Sequence, residues 1–130
     1  WWNDEEEPFV DQWKCIQEAL KDPEYGEGII WLMGDFNSQA DVRGEGYDLV
    51  LKSGWKDTYL LAEEKDDGIT VAEEIDGWRE EDGRSGSTKN EKRLDYIFCN
   101  TPADVRSSNV ICNGKNAPVV SDHYGVMITV

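Results

Sequence analysis

In "GIIWLMGDFNSQAD" a carboxylate, Asp35, and a carboxamide, Asn37, stand two residues apart straight after an apolar run. The run is bounded by glycines and reads as a short strand covered on both faces. The loop beyond a buried strand lies at a sheet edge, where α/β proteins often place their sites. With Phe36 turned into the core, Asp35 and Asn37 would point the same way. The carboxylate could bind a cation or take a proton, and the amide could stabilise a developing oxyanion without losing a proton. A plain turn is the competing reading, because Asp and Asn side chains bond nearby backbone after strands.

Two more groups add to this pair. "SDH" places Asp122 beside His123, the only histidine in the chain, so any imidazole chemistry runs through that residue. Asp122 could ligate a metal or orient the site; a loop aspartate beside a half-exposed histidine is the structural alternative. Asp95 in "KRLDYIFCN" is flanked by Leu94, Tyr96, Ile97 and Phe98, and is costly to bury without a partner. Strand alternation puts it on the face shared with Arg93 and Ile97. Its partner is either Arg93 or a nearby lysine, or else His123, whose tautomer a carboxylate would fix. Together these five residues could activate water and stabilise a phosphorane-like transition state, above all with Mg²⁺.

Composition narrows the substrates. The 130 residues suffice for one modest domain, and 38% hydrophobic content with six tryptophans excludes a disordered chain. There are 28 acidic against 13 basic residues, a net charge of -15, which repels a nucleic-acid backbone at long range. A bound divalent cation reverses that locally, so a small phosphorylated compound stays open as a substrate. Lys89, Lys92, Arg93 and Lys115 near the motifs suffice for one phosphate group but make no track for a duplex. Cys15, Cys99 and Cys112 have no metal-type spacing and read as buried free thiols of a reducing compartment. No signal peptide and no apolar stretch of roughly 20 residues is visible, so the cytoplasm is the expected location. The opening "WWNDEEEPF", without methionine and with two bulky aromatics, suggests a piece of something longer.

The elements that must position these residues are a helix, a buried strand, another helix and later strands, an α/β or α+β layering. Phe9, Trp13, Ile16 and Leu20 form one apolar stripe, which predicts a helix over about 8–20, closed by Pro23 and Gly26. "EGYDLVLKSG" reads as a short helix ending near Gly54. Residues 56–92 read as a long acidic loop region with one short strand or helix, ending in an exposed, mobile "EEDGRSGSTKNEK". "RLDYIFCN", "VRSSNVICNG" and "YGVMITV" read as strands.

"GDFN", "RLDYIF" and "SDHYGV", in that order, resemble the C-terminal motifs of the endonuclease/exonuclease/phosphatase superfamily, which includes DNase I-like nucleases, inositol polyphosphate 5-phosphatases and neutral sphingomyelinases. The resemblance spans nearly the whole chain; the motifs are specific for the superfamily and weak for substrate. "WWNDEEEPFVDQW", "GITVAEEIDGW" and "GKNAPVVSDHYGV" are most similar to bacterial sugar-phosphate phosphatases such as those acting on maltose 6'-phosphate. The resemblance implies that Asp35 orients or deprotonates the attacking water and that Asn37 holds a phosphoryl oxygen. His123 would contact the scissile phosphate, oriented by Asp95, with Mg²⁺ or Mn²⁺ as cofactor and Asp35 and Asp122 as the nearby carboxylates. Trp78 is a candidate for stacking on a sugar, or else anchors its loop.

The implied fold is the C-terminal half of a DNase I-like four-layer α/β sandwich, one mainly antiparallel mixed sheet with helices on its outer face. Relatives are longer, and their N-terminal half supplies an Asn, a Glu and another His. On that basis the chain is expected to pair with such a half, or to self-associate through an exposed apolar inner face. Alone, it is expected to bind Mg²⁺ weakly and to turn over little. A phosphodiesterase acting on DNA or a lipid head group is the second reading, and a non-catalytic scaffold with an acidic docking face the third.

Overall fold

The computed structural model describes residues 8–25, 28–72 and 91–130. Helix α1 runs Phe9–Ala19, with Pro8 in extended conformation just before it. The apolar stripe does what its spacing predicts: Phe9 and Trp13 are buried, and Ile16 and Leu20 pack beside them. Trp13 donates its indole N–H to Ser53 Oγ at 2.8 Å, which ties α1 to the end of α2, Gly46–Lys52.

Strand β1, Trp31–Asp35, pairs antiparallel with β4, Asp95–Cys99, and β4 also carries the two-residue β2, Lys56–Asp57, on its other side. A four-residue helix α3, Thr58–Leu61, follows β2 directly. The second sheet has the order β3-β5-β6: β3, Glu64–Lys65, lies parallel to β5, Ser107–Ile111, and β6, Gly125–Thr129, runs antiparallel to it. The α/β class with mainly antiparallel, mixed pairing therefore holds. Among the described residues the strands form two three-stranded sheets, where the sequence suggested one. The reason is local: α3 takes the chain out of the first sheet after two residues of β2, and β3 re-enters beside β5.

Pairing opposes Leu32 to Phe98, Gly34 to Tyr96, Met33 to Ile97 and Asp35 to Asp95. Opposed residues share a face. Tyr96 and Phe98 face the helices and join Phe9, Trp13, Phe36, Tyr47, Val50 and Trp55 in one aromatic-rich core. Met33, Ile97, Asp35 and Asp95 lie on the opposite face. Met33 is 63% exposed, so β1 is not covered on both faces, and among the described strands it also lies at the edge of its sheet. An apolar run alone does not separate an edge strand from a central one.

The described part of the expected 56–92 loop is largely built into the fold. Residues 56–72 hold β2, α3, β3 and a bridge between Val71 and Lys92, and they bury Asp57, Thr58, Ala62, Thr70 and Val71. Residues 73–90, with Trp78, Lys89 and most of "EEDGRSGSTKNEK", lie outside the described residues. Of the three free cysteines Cys99 is buried as expected, whereas Cys15 is exposed and Cys112 intermediate. Among the described residues no helix is long and apolar enough to cross a membrane.

The core carries one direct test. Phe98 is fully buried between β1, α2 and Phe36. Phe98→Ala should cost about 3–5 kcal/mol in a urea melt, the range for emptying a buried aromatic site. A cost below about 1 kcal/mol would show that this face is not the packed core.

Candidate active site

The register that places Asp35 opposite Asp95 sets two carboxylates on one face at the end of both strands. Like charges directly opposite each other are unfavourable unless a cation answers them. His123 answers on one side: its Nδ1 lies 2.8 Å from Asp95 Oδ2, and both side chains are mostly buried. An ionised carboxylate only accepts, so Nδ1 carries the proton, and Nε2 is the nitrogen left for other chemistry. Burial opposes a charge on His123. The hydrogen bond that Nδ1 donates to Asp95 and the charge of Asp95 outweigh it, with Asp35 and Asp122 adding, and the imidazole stays above its ordinary pKa.

The loop after β1 is pinned at three points. Phe36 is turned into the core as expected, its ring centroid 5.0 Å from that of Phe98, and its N–H donates to Leu94 O at 2.9 Å. Asn37 sits in left-handed conformation with φ 46°, one that Asn tolerates better than most residues, and its N–H donates to Asp35 Oδ1 at 2.8 Å. The competing turn reading is thus also correct: Asp35 closes a turn and still faces Asp95. Ser38, which the sequence did not mark, is fully buried. Its Oγ accepts the Tyr47 N–H at the start of α2, and its carbonyl accepts the Tyr96 hydroxyl at 2.6 Å. Just before Asp35, Gly34 has φ 153° with open space around it, so backbone conformation rather than crowding calls for glycine there.

Arg93 does not share the face of Asp95. It lies before β4 begins, donates to Asp57 Oδ2 at 2.7 Å, and has Tyr59, Tyr96 and Tyr47 ring centroids 4.5, 4.7 and 5.5 Å from its guanidinium carbon. Tyr47 also donates to Asp57 Oδ2, at 2.8 Å. Burial and the neighbouring Asp57 charge push the Tyr47 hydroxyl up to about 12. The partner of Asp95 is therefore His123, and Arg93 belongs to a separate buried pair.

Asp122 stands apart as well. Its exposed carboxylate accepts from Ser121 Oγ at 3.0 Å, a bond that holds its pKa below the usual carboxylate range. Asp35, Asp95 and His123 each offer one ligand atom within 4.8 Å of the others, the one such group among the described residues, and Asp122 is outside it. Carboxylate oxygens suit a hard divalent cation such as Mg²⁺ or Mn²⁺. His123 Nδ1 is already committed to Asp95, so the hard oxygen donors that fit such an ion are those of Asp35.

Among solved structures, an endonuclease/exonuclease/phosphatase family protein from Leptotrichia buccalis C-1013-b matches 90% of this chain at 41% sequence identity, with a TM-score of 0.71. The chain belongs to the endonuclease/exonuclease/phosphatase family. It covers 40% of that family member's length. A second family protein, from Bacteroides thetaiotaomicron, matches 92% of the chain at 22% identity with a TM-score of 0.63, and 42% of its own length is covered. A mannosyl-6-phosphatase from Bacteroides thetaiotaomicron VPI-5482 matches 94% at 22% identity with a TM-score of 0.62, covered over 46%. At that identity these two show the shared fold alone. No protein-family model and no curated protein matches the chain.

The Asp95–His123 bond has a pH signature. A histidine with a raised folded pKa contributes stability that is complete below its unfolded value, about 6.5, and fades as pH rises through the folded value. In an NMR titration the His123 imidazole should show a midpoint above about 6.5, and Asp95→Asn should bring it down. A midpoint at or below that of a free histidine would contradict the pairing.

Proposed function

We infer that the intact protein is a metal-dependent phosphoric ester hydrolase, a phosphatase acting on a small sugar phosphate. The observation that carries this reading is the juxtaposition of Asp35, Asp95 and His123 at the ends of two paired strands. Family membership supports a phosphoesterase, and one structure of the same fold is a mannosyl-6-phosphatase, whose name supplies the substrate class assigned here.

In this reading Asp35 orients the attacking water and takes its proton. Asn37 donates its amide to a phosphoryl oxygen, where charge grows during attack. His123, held by Asp95, presents Nε2 to the same phosphoryl group, and its raised pKa favours the donating form. Asp35 would hold Mg²⁺ or Mn²⁺, which would supply positive charge to offset that of the phosphoryl group. Asp122 flanks this set without joining it, and Trp78 would stack on the sugar. Because the chain spans less than half of the structures it matches, groups from elsewhere in the intact protein are proposed to complete the site. Free thiols fit a cytoplasmic setting.

The net charge of -15 favours a small substrate over a polyanion such as DNA. The test is an assay of the intact protein on a sugar phosphate, p-nitrophenyl phosphate and plasmid DNA, with Mg²⁺ and after chelation. Phosphate release from the sugar phosphate should vanish on chelation, and Asp35→Ala and His123→Ala should each cost about 10²-fold or more in kcat. Plasmid nicking without phosphate release would assign a phosphodiesterase. Unchanged rates in both variants would leave only a scaffold.

A further inference from the structure

One residue outside the cluster bonds the backbone at Asp95 and the backbone next to His123. Thr70 is fully buried, in a stretch that composition marks as acidic loop. Its Oγ1 accepts two amide N–H groups, from Leu94 at 3.1 Å and from Asp95 at 3.3 Å. A hydroxyl oxygen has two acceptor lone pairs, so it can serve both. The Thr70 carbonyl accepts the N–H of Tyr124 at 2.7 Å, the residue after His123. The Thr70 N–H donates to Lys92 O at 2.9 Å, and the bridge between Val71 and Lys92 holds the segment against the approach to β4.

The peptide group joining Leu94 to Asp95 is thus used from both sides. Its carbonyl takes the N–H of Phe36, between Asp35 and Asn37, and its N–H goes to Thr70. Turning that peptide would move the Asp35 loop and the Asp95 carboxylate together. The Tyr124 bond fixes where the His123 loop stands against the same point. Side chains that must meet at 2.8 Å across 28 residues of sequence need such a common anchor.

We propose that Thr70 is a positioning residue, whose hydroxyl and carbonyl hold Asp95 and His123 in bonding distance and in step with the Asp35 loop. Its consequence for catalysis rests on the phosphoesterase reading above; its consequence for geometry does not. Valine has nearly the shape of threonine and lacks the acceptor, so Thr70→Val leaves the Leu94 and Asp95 N–H groups without their partner. Serine keeps the hydroxyl.

The test reads the His123 Nδ1 proton by ¹H–¹⁵N NMR of the intact protein at fixed pH, with His123→Gln identifying the signal. Wild type and Thr70→Ser should both show a hydrogen-bonded, exchange-protected resonance. Thr70→Val, folded by its amide spectrum, should lose that protection. In the phosphatase assay Thr70→Val should lower kcat about ten- to a hundredfold with KM little changed, and Thr70→Ser should stay within about twofold, as for groups that orient a reacting residue. A folded Thr70→Val that keeps the protected resonance overturns the proposal, and so does a Thr70→Ser that loses it. If Thr70→Val does not fold, Thr70→Ala is read by the same criteria. Loss of the resonance in a protein that hydrolyses no phosphate ester would uphold the positioning role and remove the phosphatase reading instead.

Discussion

Two carboxylates held face to face across a pair of antiparallel strands are the constraint around which this molecule is arranged. Left alone, Asp35 and Asp95 would repel each other and loosen the ends of β1 and β4. They stay opposed because the other face of the same strands is committed. Tyr96 and Phe98 lock into an aromatic core with Phe9, Trp13, Phe36 and Tyr47, and a shift by one residue would expose those rings. The packing side of the sheet thus holds an unfavourable charge arrangement on the other side. Such concentrated negative charge is useful to an enzyme that must attract a cation and present a proton acceptor.

A second charged arrangement lies within the protein and has a different character. Arg93 and Asp57 are paired at 2.7 Å and ringed by tyrosines, with Tyr47 sharing the carboxylate. A buried pair of this kind adds little net stability, yet losing either partner leaves a charge stranded, so the pair fixes which surfaces meet. Here it joins α2, β2 and the residues leading into β4. Cation and anion are satisfied by each other, which leaves Arg93 unsuited to holding substrate. The Asp95–His123 pair, by contrast, keeps one imidazole nitrogen uncommitted.

Much of this was legible in the sequence where a local pattern decides the outcome. The stripe of Phe9, Trp13 and Ile16 gives α1, and the alternation in "RLDYIFCN" gives β4 with Asp95 at its start. Asp35, Asn37 and His123 stand out by chemical type at the ends of apolar runs. What was not legible depends on contacts far along the chain. The partner of Asp95 lies 28 residues away, and strand alternation pointed equally to Arg93, which precedes the strand and turns toward Asp57. Asp57 and Thr70 sit in a stretch whose charge suggests solvent, although both are buried. Asp122 neighbours His123 in sequence, but adjacent residues in an irregular loop need not point together. Met33 lies in an apolar run, and only the strand order shows that it is at an edge.

The opposition of Asp35 and Asp95 also limits how such a sequence can drift in length. Side chains on a strand alternate with a period of two, so one residue inserted or deleted within Trp31–Asp35 would turn Asp35 toward the helices and bring a neighbour into its place. The segment 112–120, between β5 and the His123 turn, carries no such parity; its length can change if the ends still meet. Gaps in this chain's relatives should therefore gather in that segment and avoid the five residues of β1. The strand works as a ruler whose graduations are single residues.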